Sequence, residues 1–293
     1  VAAEFLGPSL LRLGSRDSAA TGTFVADLQA ELRRLRLLEP GAVMTPGVFD
    51  SATDLAVRRL QWFAANVPGS LSAAGAFVAR GLAPLDVDGV VGPDAKKFLL
   101  ALKTEGSLPT GLLVRIDFDA FSHLRPNANF VALLPGGTRF GVCEREFAAV
   151  IAAMNDAAQA FGVFAFVNQL FRLEDAVVSG AVVEPAKASA HKIGRAVDLQ
   201  LGNSRDGSPL LSNAIKDAAP GTPFAKFREH AKAVLKCRYG GDFQTVDAPH
   251  FDRQIDAPGG SATWRLHHFF DQLQMAQAKA NPAAIPPFSA GAA

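Results

Sequence analysis

Two short segments of this chain carry side chains able to hold and use a metal ion. Ser189-Ala-His191-Lys-Ile-Gly194-Arg-Ala196-Val-Asp198 offers an imidazole and a carboxylate. Asp247-Ala-Pro-His250-Phe-Asp252 offers a second imidazole flanked by two carboxylates. A catalytic zinc takes three protein ligands, keeps one position open for water and works beside a base. His191, Asp198 and His250 make such a ligand set, and Asp247, three residues before the last histidine, is left to act as the base.

The spacing says how the set must be assembled. Six residues separate His191 from Asp198, which is too many for one face of a helical turn and suits a loop running into a strand. Gly194 permits the turn, small Ala196 lets the chain pass close to the site, and Val197 and Leu199 flank Asp198 as in a buried strand. Asp198 and His250 are 52 positions apart, so only tertiary folding closes the site. Ser189 is placed to support the ligands by a hydrogen bond. Asp252 either orients His250 or sits in a solvated turn, and Asp242 fixes the turn at Gly240-Gly241. His123, His230, His267 and His268 have no such context and read as surface or packing residues.

This constellation resembles the zinc D-Ala-D-Ala carboxypeptidase and L-alanyl-D-glutamate endopeptidase family, known for the pattern S-x-H-x-x-G-x-A-x-D. The endopeptidase branch, with phage endolysins, adds W-G-G-D-W and D-x-P-H-F. Their counterparts here are Tyr239-Gly240-Gly241-Asp242-Phe243 and Asp247-Ala-Pro249-His250-Phe251. The resemblance covers residues 112–275. It implies zinc held by His191, Asp198 and His250, with Asp247 as base; Asp rather than Glu there favours the endopeptidase branch. It implies an Arg at the end of a strand that binds or polarises substrate, and Arg172 fits. The family's Ser-Gly is replaced by Gln169-Leu170, so Gln169, Arg172 and Tyr239 are expected to shape substrate binding. The implied fold is α+β, of the Hedgehog/D,D-peptidase kind.

The elements around these residues read coherently. Phe147 to Phe161 has helical periodicity and stops at Gly162, while Val163–Val167 is a short apolar run suited to a buried strand. Pro223 to Lys236 and Trp264 to Lys279 read as helices, and 279–293 as a flexible tail. Upstream, Phe24, Val25, Leu28, Leu32, Leu35 and Leu38 mark one helix ending near Pro40-Gly41. Asp54 to Phe63 marks a second, and Val87-Asp-Gly-Val-Val-Gly-Pro93 opens a third. Leu28-Gln29, Gly47-Val-Phe49, Ala56-Val57 with Gln61, and Val87–Pro93 together resemble the three-helix peptidoglycan-binding domain of cell-wall hydrolases. The expected layout is an extension at 1–20, that helical domain at 21–104, a linker over 104–111 and the peptidase domain at 112–278.

Bulk properties narrow the function. With 49% hydrophobic and 19% charged residues in 293, the chain is globular and long enough for two cores. A net charge of +1 gives no broad basic field for nucleic acid. No run approaches the ~20 apolar residues of a membrane span, and the first residues lack the basic start of a signal peptide. Cys143 and Cys237 read as buried thiols. The expectation is therefore a zinc peptidase whose partner is bacterial peptidoglycan, with no nucleic acid and no membrane. It would act in the cell wall or periplasm, as a phage lysis product or a delivered effector. L-alanyl-D-glutamate cleavage leads. D,D-carboxypeptidase or D,D-endopeptidase activity, or a non-catalytic zinc-containing wall-binding protein, are the alternatives.

Overall fold

The structure is a computed structural model that describes residues 6–7, 9–19, 22–38, 42–66, 85–105, 112–176, 188–205, 213–255 and 262–288. Pro40-Gly41, most of the linker and residues 289–293 lie outside them. Among the described residues the fold is mixed α+β, with seven α-helices and two sheets. The chain divides into two compact units, Val1–Thr110 and Gly111–Ala293.

The first unit holds three described helices, α1 (Phe24–Arg34), α2 (Ser51–Asn66) and α3 (Pro93–Glu105). Val25, Leu28 and Leu32 recur on one face of α1 and are buried. Leu35, Leu37 and Leu38 are buried too, but beyond the helix, because Arg36 adopts a left-handed conformation (φ 58°) that turns the chain away. Two glutamines explain the sequence motifs. Gln29 bonds the carbonyls of Thr45 and Val48 and accepts from the Gly47 amide. Gln61 does the same one helix later, bonding Asp88 and the Val90 carbonyl and accepting from the Gly89 amide. Each amide side chain thus satisfies a tight turn that would otherwise leave buried polar backbone unpaired. Residues 11–18 are tied to the helices: Leu11 bridges to Val91, Arg16 bridges to Val48, and Asp17 caps the start of α1 through the amides of Val25 and Ala26.

The second unit is built on a five-stranded sheet. Its strands are β2 (Leu124–Pro126), β4 (Phe164–Gln169), β5 (Ala196–Gly202), β6 (Arg238–Tyr239) and β7 (His250–Asp252), in the order β2-β4-β5-β7-β6. Only the β2/β4 pair is parallel. A separate ribbon pairs β1 (Leu113–Asp117) with β3 (Phe140–Glu144). The burial pattern of β5 alternates, so Val197, Leu199 and Leu201 enter the core while Asp198 and Gln200 turn the other way. Helix α4 (Arg145–Phe161) lays Phe147, Val150, Ile151 and Met154 against that core and ends on left-handed Gly162. After α5 (Asn213–Lys216), helix α6 (Pro223–Ala233) starts at Thr222, which caps the Ala225 amide, and adds Phe227 to the same core.

Helix α7 (Ala262–Ala280) covers a second cluster containing Leu113, Val142, Phe171, Met275 and Ile285. The expected flexible tail is corrected up to residue 288. Ile285 is buried, and the backbone of Arg115 bonds both the Pro286 carbonyl and the Phe288 amide at 2.8 Å. Those apolar and backbone contacts outweigh the proline-rich composition that suggested fraying. No helix among the described residues is long and apolar enough to cross a membrane.

Candidate metal centre

Sheet register and one tight loop bring the three expected ligands together. Asp198 on β5 lies directly opposite His250 on β7, and Gln169 on β4 lies opposite Asp198 on its other side. His191 sits in a 3-10 turn, Ala190–Ile193, which Ser189 caps by accepting from the His191 amide. The next residue, Gly194, is left-handed (φ 62°), and a Cβ there would lie 2.6 Å from the Glu144 backbone nitrogen. Only glycine fits, and the loop can then deliver His191 and return as β5.

The ligand atoms form a near-equilateral triangle. His191 Nε2 is 3.1 Å from Asp198 Oδ1 and 3.2 Å from His250 Nδ1, and His250 Nδ1 is 3.0 Å from Asp198 Oδ1. A tetrahedral zinc with bonds of 2.0–2.1 Å needs ligand atoms about 3.3–3.4 Å apart. The triangle is one face of such a tetrahedron, slightly contracted. The Asp198 side chain remains 18% accessible, against 2% for His191 and 9% for His250, so it is the least covered of the three.

Outer partners set which nitrogen faces inward. His191 Nδ1 lies 2.6 Å from the Leu170 carbonyl, an acceptor only, so it carries the proton and Nε2 presents its lone pair. His250 Nε2 lies 2.8 Å from Asp252 Oδ2 and Nδ1 points inward. Asp252 is itself buried and held by Arg238 through two bonds of 2.7 and 2.6 Å. Asp252 is thus the orienting residue, not a solvated turn acid. The three ligand atoms converge on one point, and without an ion a proton on His250 Nδ1 can be shared with Asp198 Oδ1 across the same gap. Burial opposes a charge on His250, yet its bonds to Asp198 and Asp252 push its pKa up to about 10. Burial would raise the Asp198 carboxyl, but His191 and His250 hold it well below the usual carboxylate range. Two neutral imidazoles and a carboxylate are a donor set that zinc favours, and the residues fit such an ion.

Asp247 belongs to the centre without being part of the triangle. Gly240 makes this possible: a Cβ there would meet the Asp247 carbonyl at 2.1 Å and His250 Cβ at 2.8 Å. The Asp247 amide bonds the Gly240 carbonyl at 2.9 Å, and the Asp247 carbonyl accepts from the His250 amide at 3.0 Å. Burial raises the Asp247 pKa, the Asp198 charge raises it further, and His250, His191 and Arg172 offset part of this. A carboxyl moved upward is better suited to exchange protons near neutrality than an ordinary aspartate.

Arg172 is buried, and its own burial is opposed by the charges of Asp198 and Asp247. Its guanidinium is tied to Gln169 Oε1 through both Nε, at 3.0 Å, and Nη2. Gln169 is therefore occupied in holding Arg172. Tyr239 departs from the expectation of substrate contact: it is 3% exposed, its ring packs 4.9 Å from that of Phe251, and it belongs to the main core. Its place on a strand beside β7 turns it inward. Asp242 pairs with Lys232 at 2.7 Å and is exposed.

Helix α7 supplies parts that the sequence did not reveal. Gln272 donates to the carbonyls of Arg172 and Lys192, both at 3.1 Å, and accepts from the Glu174 amide at 3.1 Å, clamping the two strand-loop junctions that flank the centre. His267 is not a plain packing residue. It bonds Glu144, which also binds Arg195 in the metal loop, and buried Asp271 lies beside them. Ionised, neither Asp271 oxygen would find a donor; protonated, Asp271 bonds Glu144. Burial, then the Glu144 charge, raise its pKa well above the usual value. Arg195 pairs with Glu144, and burial favours a proton on Asp271, which together offset the charge of this second cluster. Cys143 and Cys237 are free and buried, and burial pushes the Cys237 thiol up to about 12.

A scan against protein-family models finds no match to this chain, and a search of curated proteins finds none either.

Proposed function

We propose that the chain is a zinc-dependent peptidoglycan peptidase that cuts stem peptides, with the bond between L-alanine and D-glutamate as the leading target. The observation that carries this reading is the triangle of converging ligand atoms from His191, Asp198 and His250, with Asp198 its least covered member. The resemblance of the two motifs to the zinc carboxypeptidase and endopeptidase family supports the substrate class. A fold of the Hedgehog/D,D-peptidase kind for the second unit belongs to the same proposal.

When bound, a zinc ion supplies Lewis acidity, polarising a carbonyl and acidifying a water toward pKa ~7. The chain's residues do the rest. Asp247, with its raised pKa, accepts the proton of the attacking water and returns it to the departing amine. Arg172, pinned by Gln169, holds a positive charge toward the oxygen that becomes anionic. Asp252 and the Leu170 carbonyl keep both imidazoles in the ligating tautomer. The three-helix unit is proposed to anchor the enzyme on the wall, raising the effective concentration of an insoluble substrate.

Digestion of purified sacculi by the zinc-loaded protein, with mass spectrometry of the new ends, tests this. New D-glutamate amino termini are expected. Released D-alanine or cut cross-links would move the assignment to D,D-carboxypeptidase or D,D-endopeptidase, and no product would leave a non-catalytic wall-binding protein.

A further inference from the structure

Resting on the peptidase reading, we infer that Asn168 and Gln200 form a subsite that binds a backbone amide of the peptide substrate about two residues from the bond that is cut. The side of the sheet that bears Asp198 does not end there. Gln200 follows two positions later on β5 and faces the same way, which places it ~6.6 Å along the strand. An extended peptide advances ~3.3–3.6 Å per residue, so a segment crossing the metal centre along β5 would bring its second residue over Gln200.

The opposing strand is shaped for the same purpose. β4 carries an irregularity between Val167 and Gln169, where Asn168 is the additional residue opposite the Leu199-Asp198 step. A bulge turns successive side chains in ways a regular strand cannot. Here neither Asn168 nor Gln169 is buried in the core: Gln169 reaches Arg172, and Asn168 joins Gln200. Asn127, just past β2, donates to Asn168 Oδ1 at 2.5 Å and to Gln200 Oε1 at 3.0 Å. Both acceptor oxygens are thereby used, and the amide nitrogens of Asn168 and Gln200 find no acceptor among the described residues. These are two half-buried donors with no charge, fixed side by side next to the ligands. The Phe166 ring packs over Gly202 at the far end and supplies an apolar floor. Uncharged, preorganised N–H donors over such a floor match the carbonyls of an extended peptide better than a carboxylate or phosphate.

Gln200→Glu and Asn168→Asp each keep the oxygen that accepts from Asn127 and replace the amide donor with a carboxylate oxygen. Because this also adds a charge near the centre, the pH profile of kcat is measured in parallel, and loss of the donor predicts a KM effect with that profile unchanged. Activity would be measured on a capped L-Ala-D-Glu dipeptide and on a full stem pentapeptide, with zinc content determined in parallel. Each variant is expected to lose three- to tenfold in kcat/KM on the pentapeptide, mainly through KM. The preference for pentapeptide over dipeptide should fall by the same factor while zinc content holds. An active wild type with an unchanged preference in both variants would overturn the inference alone. Zinc-loaded wild type that cuts neither peptide would overturn the peptidase reading, and this inference with it.

Discussion

Asp198 and His250 face each other across neighbouring antiparallel strands, with Oδ1 and Nδ1 3.0 Å apart. Two of the three proposed ligands are thus fixed by backbone pairing, and a slip of one residue would turn both away from each other. His191 arrives by a different route, from a capped 3-10 turn that closes on left-handed Gly194. The centre therefore depends on one sheet register and one glycine, both within a unit whose core packs on the opposite side of β5.

The ligands and the base should separate on mutation. His191→Ala should lose zinc and turnover together. Asp247→Ala should retain zinc and lose about 10²–10⁴-fold in kcat. Metal analysis alongside peptide hydrolysis measures both, and zinc loss in Asp247→Ala would make Asp247 a ligand instead.

Asp252 orients the His250 ring and also pairs with Arg238. Asp252→Ala should weaken zinc affinity about 10–100-fold by freeing the His250 tautomer and leaving Arg238 without its buried partner. Competition with a chromophoric chelator reads this directly.

Metal uptake should displace a proton. In the metal-free protein His250, with a pKa of about 10, is protonated at neutral pH. Its raised pKa stabilises the metal-free fold fully below the ordinary histidine value, and that contribution disappears as pH climbs toward 10. The depressed Asp198 carboxyl stabilises the fold above its ordinary value and loses that effect in acid. Calorimetric zinc titrations at pH 7.5 in buffers of differing ionisation enthalpy should report about one proton released per ion bound. No proton release would show that His250 is already neutral before the ion binds.

Asp271 gives a pH dependence away from the centre. Its folded pKa is raised, so the native state keeps a proton that the unfolded chain gives up. Stability therefore falls as pH rises from the ordinary carboxylate value toward the raised one. Asp271→Asn keeps a donor for Glu144 and removes this loss. Denaturant melts should show the variant more stable than wild type by about 1–3 kcal/mol at pH 8, with the gap closing near pH 4.

Much of this was legible in the sequence, for identifiable reasons. His191, Asp198 and His250 stood out because ligand types at loop-to-strand spacing are uncommon by chance, and the structure brings these three together. Alternation at Val197 and Leu199 gave β5, and periodicity with Gly162 gave α4. Gln29 and Gln61 were visible as motif letters, but their role in satisfying two turns needed coordinates. Tyr239 was misplaced because the residue type alone does not tell which side of a two-residue strand faces the core. Gln272, His267 and Asp271 were missed because they lie on a helix far downstream whose polar stripe looks like a solvated face until it packs against the metal loop. Proline-rich 282–288 looked frayed, since composition does not register pairing with Arg115.

The proposed chemistry requires that His191, Asp198 and His250 bind a divalent ion. Equilibrium dialysis of the metal-stripped protein against zinc, followed by elemental analysis, decides it for wild type, His191→Ala and His250→Ala. One tightly held zinc per wild-type chain and none in either variant is the predicted result. A wild type that retains no zinc, or variants that retain as much as wild type, would contradict it.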